Sequence, residues 1–496
     1  MGTQPHIGAL DLGTTGVRFV IFQADGTERA SAYQEIPLSY PQPGWVEQDP
    51  EQMIQASLGV LQEALQRAGL QAKELAGFGI TNQRETIIVW ERGSGRALAP
   101  AIVWQDRRTA ARCEQLRTTG WAEIIREKTG LLPDPYFSAT KIEWLIQHLP
   151  GLREKMERGQ IFFGTVDSWL LYRLTGLAAT DPSNASRTIL FDLRQRRWDP
   201  ELCAEFGVVM DSLPEVRPSL SVFACTHRQL VGAELPVAGL LGDQQAALFG
   251  QTGFEAGQIK VTWGTGAFLL LNTGQQPVPP PPGLLSTLAY SSQQAAYYAL
   301  EGSVFVAGAA VQWLRDNLGI IRSAQETEAL AETIPDNQGV YFVPALAGLG
   351  APHWDPYARG LLIGLTRGTG RAHLARAALE AIAYQTHDLL RVMEEALRTK
   401  IHELRVDGGA AKNNLLCQFQ ADILGIPVIR PKILETTALG AAFAAGYALG
   451  IWPDFHTLRS LWQEERRFLP RMPDSQRQKL LSGWQQAVER ARSWAK

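Results

Sequence analysis

Cysteine is scarce in this chain of 496 residues, which contains four: Cys113, Cys203, Cys225 and Cys417. They lie far apart and form no Cys-x-x-Cys pair, so the sequence predicts neither a disulfide framework nor a zinc site. A chain of this length is expected to form more than one large hydrophobic core without such cross-links. Scattered single cysteines are typical of a reducing compartment, and we expect a cytoplasmic protein.

Long apolar runs are also missing. The longest, at residues 438–452, spans 15 residues and contains three glycines, whereas a membrane-spanning helix needs about 20 apolar residues. Asp11 interrupts the first apolar stretch of the chain, so no signal peptide is expected. The run at 438–452 instead predicts a buried helix that packs closely through Gly and Ala, and no membrane insertion is expected.

No charge of one sign dominates the sequence. It has 47 Lys and Arg against 50 Asp and Glu, which gives a formal net charge of -3. The basic clusters at 194–198 and 465–468 are short, and they are more typical of solvated surface than of a nucleic-acid-binding stripe. The sequence therefore predicts a globular protein that does not bind nucleic acid.

Strand-like and helix-like segments alternate along the chain, which predicts an α/β fold. The first forty residues have the pattern of an antiparallel meander. Within them, IGALDLGTTGVRFVIF at 7–22 predicts a strand, a Gly-Thr turn and a strand, and IKVTWGTGAFLLLNTG at 259–274 repeats that order. This repeat predicts a duplicated architecture with an N-terminal domain of residues 1–252 and a C-terminal domain of residues 253–496.

The two glycine-threonine turns are candidate phosphate sites, because such turns direct several N–H groups and hydroxyls at one point. Glycine also suits any tight hairpin turn, so one turn alone would mean little. Two turns, with Asp11 directly before the first, indicate nucleotide binding. One turn would hold the inner phosphates and the other the outer phosphate, with Asp11 positioning Mg²⁺.

A third glycine turn occurs in LRVDGGAAKNN at 404–414, after a predicted strand and before a helix that begins near Asn413. Backbone without side chains can approach a flat ring or a ribose, although the same turn also suits a simple strand-to-helix loop. Small residues recur in EGSVFVAGAAVQWLRD at 301–316. Together the two segments predict an adenosine pocket.

Polar residues that suit a polyol lie in GITNQRETIIVW at 79–90, where Arg84 and Glu85 follow a predicted strand. A guanidinium donates to hydroxyl oxygens and a carboxylate accepts from hydroxyl hydrogens. The pair could equally form an exposed salt bridge of little value. Tyr136, in DPYFSATK at 134–141, combines an aromatic ring with a hydroxyl and is a further candidate for this pocket.

An acid, Asp243, stands between the predicted strand LPVAGLLG and a helical pattern at 244–249. One interpretation is a helix N-cap, because Asp commonly accepts the first N–H groups of a helix. The other is a functional carboxylate at the carboxyl end of a buried strand. On this stretch alone the N-cap is favoured, and the rest of the chain decides between the two.

The order of these motifs resembles the FGGY family of carbohydrate kinases, and within it the members that act on glycerol. The matching stretches include TNQRET, DPYFSATK, GTVDSWLLYRLTG, TDPSNASRT, GDQQAALFG, GTGAF, GLGAPHWDPYARG and DGGAAKNN. The resemblance implies a duplicated actin-like (ribonuclease H-like) ATPase fold with two lobes around a nucleotide cleft. It also implies phosphorylation of glycerol by ATP to sn-glycerol 3-phosphate, Mg²⁺ as cofactor, and a homo-oligomer, either a dimer or a tetramer.

The resemblance assigns a role to each residue that matches a motif, with Asp243 as general base. The implied glycerol ligands are Arg84, Glu85, Trp104, Tyr136, Asp243, Gln244 and Phe268. The implied ATP ligands are Thr14, Thr15, Gly16, Arg18, Thr265, Gly308, Gln312, Gly409 and Asn413. The implied Mg²⁺ ligands are Asp11 and Asp243.

Two alternatives stay open. One is a kinase of the same family for another small polyol or ketose, such as dihydroxyacetone, xylulose or ribulose. The other is an ATP-driven binding or sensor protein with the same fold, since a fold alone does not define an activity. Such a sensor would have no need for Arg84, Glu85 and Asp243 together.

Overall fold

A computed structural model describes residues 5–495, which contain 23 β-strands and 17 α-helices. The strands are β1 (His6–Leu12), β2 (Gly16–Gln23), β3 (Glu28–Glu35), β4 (Glu47–Gln48), β5 (Leu75–Asn82), β6 (Ile87–Glu91), β7 (Ala101–Ile102), β8 (Ile161–Thr165), β9 (Ala179–Thr180), β10 (Phe191–Asp192), β11 (Arg197–Trp198), β12 (Glu215–Val216), β13 (Val222–Cys225), β14 (Pro236–Gly242), β15 (Ile259–Trp263), β16 (Ala267–Gly274), β17 (Leu285–Ser291), β18 (Ala296–Val304), β19 (Tyr341–Val343), β20 (Leu361–Ile363), β21 (Leu404–Asp407), β22 (Val428–Pro431) and β23 (Glu464–Phe468).

The helices connect these strands and cover the faces of the sheets. They are α1 (Pro50–Ala68), α2 (Ala110–Thr118), α3 (Trp121–Thr129), α4 (Ala139–His148), α5 (Leu152–Glu157), α6 (Val166–Thr175), α7 (Pro182–Ala185), α8 (Pro200–Glu205), α9 (Arg228–Val231), α10 (Asp243–Gly250), α11 (Gly308–Asp316), α12 (Glu326–Ala331), α13 (Arg371–Leu397), α14 (Asn414–Leu424), α15 (Thr436–Ala448), α16 (Phe455–Leu461) and α17 (Asp474–Ala491).

The first large sheet has six strands in the order β13-β14-β5-β1-β2-β3. Strands β1, β2 and β3 form the antiparallel meander predicted from the first forty residues. Strand β5 pairs in parallel with both β1 and β14. The carboxyl ends of β1, β5 and β14 therefore meet at one edge of the sheet, which is where ligands bind in open α/β sheets.

The second large sheet repeats this arrangement. Its order is β17-β18-β16-β15-β21-β22-β23, with β15–β16 and β16–β18 antiparallel and β15–β21 and β21–β22 parallel. In both sheets an antiparallel meander precedes two parallel strands and an antiparallel edge strand. The predicted duplicated α/β fold is confirmed by this shared topology.

Two helices, α10 and α15, lie in the layer between the large sheets and pack on each other. The contact is close because glycine lies on both helices. A Cβ added at Gly440 of α15 would overlap the main-chain oxygen of Ala246, and one added at Gly250 of α10 would overlap that of Thr436. Residues 438–448 of the apolar run thus belong to a helix that is buried over most of its length, as predicted, and residues 449–452 lie beyond its end.

Strands β6, β7 and β8, from the segment between β5 and β14, form a smaller four-stranded sheet with the earlier strand β4, in the order β4-β7-β6-β8, with α2 to α5 nearby. Its core is separate from those of the large sheets and includes the buried side chains of Phe137 and Ile142. This part of the chain carries Trp104 and Tyr136 to the edge of the first large sheet. Within residues 5–495, no helix has both the length and the apolar character required to cross a membrane.

Candidate active site

The site lies where parallel strands of the first large sheet end. Asp11 is the penultimate residue of β1, Arg84 and Glu85 follow the end of β5, and Asp243 follows β14 directly. The register of the sheet places Asp11 beside Thr81. Four charged side chains from distant parts of the sequence therefore lie at one edge of the sheet.

Arg84 is the centre of a buried polar cluster. Its guanidinium donates to both carboxylate oxygens of Glu301, on β18 of the second sheet, and to Gln245 Oε1 at 3.2 Å. Its Nε lies 3.1 Å from Asp243 Oδ1. Since a guanidinium has five N–H donors, one donor remains for a ligand. The alternative of an exposed salt bridge between Arg84 and Glu85 is wrong, because both side chains are 2% exposed.

Glu85 adopts a backbone conformation that is unusual for a residue with a side chain, with φ of 63°. Its carbonyl accepts a hydrogen bond from Ser138 Oγ at 2.8 Å, and its carboxylate accepts one from Arg187 Nε at 2.6 Å. A left-handed conformation of this kind costs about 1–3 kcal/mol and is found most often at functional sites. The strain directs the Glu85 carboxylate into the polar cluster.

The cluster contains two cations and two anions, all at most 2% exposed: Arg84, Arg187, Glu85 and Glu301. Burial alone would raise the pKa of Glu301, but Arg187 and Arg84 outweigh burial and lower it to about 2. Burial raises the pKa of Glu85 despite the same two arginines. Glu301 is therefore the firmly ionised partner that neutralises the guanidinium groups.

Asp243 is the first residue of α10, and Gly242 occupies the N-cap position. The interpretation of Asp243 as the N-cap is wrong by one residue, because the capping position has no side chain here. Its carboxylate nevertheless accepts a hydrogen bond from the N–H of Gln244 at 2.7 Å. With 29% of its side chain exposed, Asp243 is open to the space above the strand ends.

Gln244 and Phe268 are joined through a residue that the sequence analysis missed, Lys260 on β15. The Lys260 ammonium donates to Gln244 Oε1 at 2.5 Å, to Thr262 Oγ1 at 2.8 Å and to the carbonyl of Phe268 at 3.4 Å. Burial lowers the pKa of Lys260 to about 8. Two predicted glycerol ligands, one on helix α10 and one on strand β16, thus contact one buried cation.

The aromatic residues Trp104 and Tyr136 form a wall of the site, with ring centroids 5.4 Å apart and planes at 86°. Trp104 Nε1 also donates to Thr14 Oγ1 at 2.8 Å. Thr14 belongs to the turn between β1 and β2, the first predicted phosphate turn. The wall that is predicted to contact glycerol is therefore hydrogen-bonded to the turn that is predicted to contact ATP.

Polar side chains form hydrogen bonds to the main chain of the first turn, between β1 and β2. Gln48 donates to the carbonyl of Thr14 at 2.7 Å, and Gln83 donates to that of Gly13 at 3.3 Å. Thr15 is exposed, whereas Gly16 is buried. A Cβ on Gly16 would overlap Tyr33 of β3, so packing against β3 explains the glycine at this position.

Arg18, on β2, forms an ion pair with Glu435 at the start of α15, with 2.5 Å between NH1 and Oε2. The pair joins the first sheet to a helix from the second half of the chain. The side chains are 32% and 52% exposed. A predicted phosphate ligand is thus already paired with a carboxylate at the surface of the site.

The second turn, residues 264–266, is fixed by the start of α11. The carbonyl of Thr265 accepts from the N–H groups of Ala307 and Ala309, at 2.9 and 3.0 Å, and the Gly308 N–H donates to the Gly264 carbonyl at 3.0 Å. A Cβ on Gly308 would lie 2.5 Å from that carbonyl oxygen. Gln312 is exposed one turn further along α11.

The third glycine turn follows β21. Gly408 has φ of 84°, and a Cβ there would lie 2.6 Å from the main-chain oxygen of Trp263. A Cβ on Gly409 would meet no atom within 4 Å, so the space beside Gly409 is open. Asn413 caps α14, since its side chain accepts from the Leu416 N–H at 2.8 Å. The helix therefore begins at the predicted position.

Two carboxylates suit a divalent cation. Burial, together with the nearby charges of Asp243 and Glu435, raises the pKa of Asp11 to about 7. Among residues 5–495 no three His, Cys, Asp or Glu side chains converge on a point. Mg²⁺ commonly needs only one or two carboxylates, because water and substrate phosphates complete its coordination. Asp11 and Asp243 therefore fit Mg²⁺ held jointly with a phosphate.

Three charged residues of the site were missed by sequence analysis: Arg187, Lys260 and Glu301. Lys260 and Glu301 are each the only charged residue of an otherwise apolar or small-residue strand. Charged residues are almost never fully buried unless paired. Isolated charges in such strands were the available signal, although they do not identify the partners.

Known protein families and individual proteins resemble this chain over most of its length. The sequence model of the FGGY family of carbohydrate kinases, N-terminal domain, matches residues 6–250, and that of the C-terminal domain matches residues 259–449. Glycerol kinase of Trichlorobacter lovleyi is 54% identical over 489 residues, covering 98% of this chain and 99% of the relative. Glycerol kinase 2 of Thermotoga maritima is 51% identical, covering 99% of each chain.

A solved structure is similar over the whole chain. The crystal structure of Plasmodium falciparum glycerol kinase with ADP superposes with a TM-score of 0.93 and 35% identity, covering 99% of each chain. The two-lobed fold implied by the resemblance is confirmed by this match.

Proposed function

The chain belongs to the FGGY family of carbohydrate kinases, and on that premise we propose that it transfers the terminal phosphoryl group of ATP to glycerol, giving sn-glycerol 3-phosphate. Relatives named glycerol kinase, 54% and 51% identical over almost the full chain, support this substrate. The observation that carries the proposal is the pairing of Arg84 with Asp243 at the joined ends of β5 and β14. A partly open carboxylate beside a buried cation suits proton removal from a hydroxyl.

Asp243 is proposed as the general base. Phosphoryl transfer needs a hydroxyl in line with the phosphate and an acceptor for its proton. Arg84 Nε, at 3.1 Å, and the Gln244 N–H, at 2.7 Å, both contact Asp243 Oδ1. These contacts leave Oδ2 as the oxygen for the substrate hydroxyl, because neither donor occupies it.

Glycerol recognition is proposed to combine polar and apolar contacts. The remaining Arg84 donor, the Glu85 carboxylate, the Gln244 amide and the Tyr136 hydroxyl would bind the hydroxyl groups. Trp104 and Phe268 would pack against the carbons. Unpaired buried polar groups penalise a substrate that lacks a hydroxyl, so this site would reject diols more strongly than its size alone requires.

The glycine turns are proposed to bind ATP. Thr14, Thr15, Gly16, Arg18 and Thr265 would contact the phosphates, and Gly308, Gln312, Gly409 and Asn413 the remainder of the nucleotide. The open space beside Gly409 supports this assignment. Asp11 and Asp243 would hold Mg²⁺, which would neutralise charge on the phosphate oxygens.

The domain boundary, location and assembly are proposals as well. Residues 1–252 and 253–496 would form the two domains, since each range contains one of the repeated sheets. A cytoplasmic location is supported by four free cysteines within the described residues. A homo-oligomer, either a dimer or a tetramer, is expected, and light scattering of the purified protein measures its mass.

The proposed activity is tested by coupled ADP release with Mg·ATP and one acceptor at a time: glycerol, dihydroxyacetone, xylulose or ribulose. We expect glycerol to give the highest kcat/KM and a product identified as sn-glycerol 3-phosphate. A ketose with higher kcat/KM would support the alternative kinase. ADP release that no acceptor increases would support the binding or sensor protein.

A further inference from the structure

The orientation of one amide determines what the proposed glycerol site can recognise. Gln244 is 7% exposed, and its side chain can present either an oxygen acceptor or an N–H donor to a ligand. The two ends of an amide have nearly the same shape but opposite hydrogen-bonding character. The neighbour of Gln244 therefore decides which end faces the ligand.

That neighbour is the Lys260 ammonium, which has three donors and no acceptor. Only the oxygen of Gln244 can face it, and the contact is 2.5 Å. The other two donors meet Thr262 Oγ1 at 2.8 Å and the Phe268 carbonyl at 3.4 Å. All three N–H groups have an acceptor, so the ammonium has no unused donor that would favour another orientation.

The opposite end of the amide is available. Among residues 5–495, Gln244 Nε2 donates to no protein acceptor. This nitrogen is also not fully enclosed by the protein, so a ligand can reach it. Within residues 5–495, Lys260 also forms no ion pair with a carboxylate. Asp407 and Asp243 affect Lys260 only through longer-range electrostatic interactions. The Lys260 ammonium therefore contacts only neutral acceptors, which indicates a role other than pairing with a negative charge.

We propose that Lys260 is a positioning residue that locks the Gln244 amide with Nε2 toward the substrate, so that Gln244 acts as a hydrogen-bond donor to a glycerol hydroxyl oxygen. The inference rests on the proposed function. The amide donor complements Glu85, which only accepts when ionised.

The test uses steady-state kinetics of the full-length protein with glycerol and Mg·ATP. The variants are Lys260→Met, Lys260→Arg, Gln244→Leu and the double variant Lys260→Met/Gln244→Leu. Lys260→Met is expected to raise KM for glycerol about tenfold, the effect of losing one oriented hydrogen bond. KM for ATP should change less than about twofold, and Lys260→Arg should restore part of the loss.

The double variant separates positioning from a general structural role. If Lys260 acts through Gln244, Lys260→Met should change KM for glycerol by less than about twofold when Gln244 is already leucine. A second tenfold increase in that background would overturn the proposal. So would a rise in KM for ATP equal to the rise for glycerol, because that would indicate general damage.

A further variant tests the proposed orientation of the Gln244 amide even if Lys260→Met does not fold. Gln244→Glu gives Lys260 an ionic partner and keeps the shape of the side chain, but it removes the amide donor. We expect the Gln244→Glu protein to fold and its KM for glycerol to rise about tenfold. Wild-type KM in this variant would overturn the proposal. Absence of glycerol-dependent ADP release in the wild-type protein would instead refute the proposed function itself.

Discussion

Glu301 is the residue whose removal we expect to cost most stability, because it neutralises two buried arginines. Both of its oxygens accept from guanidinium groups: Oε1 from Arg84 and Arg187, each at 3.0 Å, and Oε2 from Arg84. Its side chain has 0% exposure. The change Glu301→Gln keeps the size of the side chain and one oxygen, but it leaves two buried cations with one buried anion, Glu85, and with the partly exposed Asp243.

Two independent figures give the size of the effect. The pKa of Glu301 falls from 4.5 to about 2, and at 1.36 kcal/mol per pKa unit this corresponds to about 3 kcal/mol of stabilisation. Removal of one partner from a buried ion pair commonly costs about 3–5 kcal/mol. We therefore expect Glu301→Gln to lower the free energy of unfolding by about 3 kcal/mol at pH 7.

The pH dependence follows from the direction of the shift. Because the folded pKa lies below the unfolded value of 4.5, the stabilisation is complete above about pH 4.5 and is lost as the pH falls toward 2. The difference between wild type and Glu301→Gln should be constant from about pH 5.5 to pH 8. It should narrow below about pH 4.5.

Urea unfolding monitored by tryptophan fluorescence and circular dichroism measures this difference. The matched control is Glu489→Gln. It removes a carboxylate that lies 3.0 Å from Arg492, and the Glu489 side chain is 67% exposed. This change should cost less than about 1 kcal/mol. A loss below 1 kcal/mol for Glu301→Gln, with the fold intact, would refute the assignment of Glu301 as the main counter-charge of the cluster.

Three further changes test the site. Asp243→Asn should lower kcat about 10²–10⁴-fold with little change in KM for glycerol, because the amide accepts no proton; ADP release at the wild-type rate would contradict this. Asp11→Asn should stabilise the ligand-free protein increasingly as the pH rises from 5 to 7, because the pKa of Asp11 in the folded wild type is about 7. Thermal unfolding that shows no such trend would contradict the raised pKa of Asp11. Trp104→Phe should raise KM for both substrates severalfold by removing the hydrogen bond to Thr14; a change for glycerol alone would show that the bond does not couple them.

Local features could be predicted from the sequence, because they depend on neighbouring residues. The glycine-threonine turns, the first meander, the buried helix α15 and the start of α14 depend on alternation, glycine and a capping residue. The repeat of the first turn in the second half also predicted the duplicated topology. Arg84 and Glu85 were recognisable because they are adjacent between two apolar strands.

Partners across the fold could not be predicted in this way. Glu301 is 217 residues from Arg84, and Lys260 reaches Gln244 of helix α10 from a strand of the second sheet. A lone charge in an apolar strand predicts that some partner exists, but the partner is determined by how the two sheets pack. The orientation of Gln244 has the same limit, because it depends on Lys260 rather than on its own sequence neighbours.

Within residues 5–495 three ion pairs connect the two halves of the chain, two of them at Glu301, and burial gives these pairs a different role from the third. Glu301 with Arg84 is fully buried, so breaking it would leave uncompensated charge and cost several kcal/mol. Arg18 with Glu435 is 32% and 52% exposed, and such pairs contribute at most about 1 kcal/mol. If Arg18 binds a phosphate of ATP as proposed, the phosphate would replace Glu435 at that small cost, since a group with two or more charges is a stronger partner for Arg18. The polar cluster around Arg84 would thus form before ligands bind, whereas the proposed binding of a nucleotide would change the contact of Arg18.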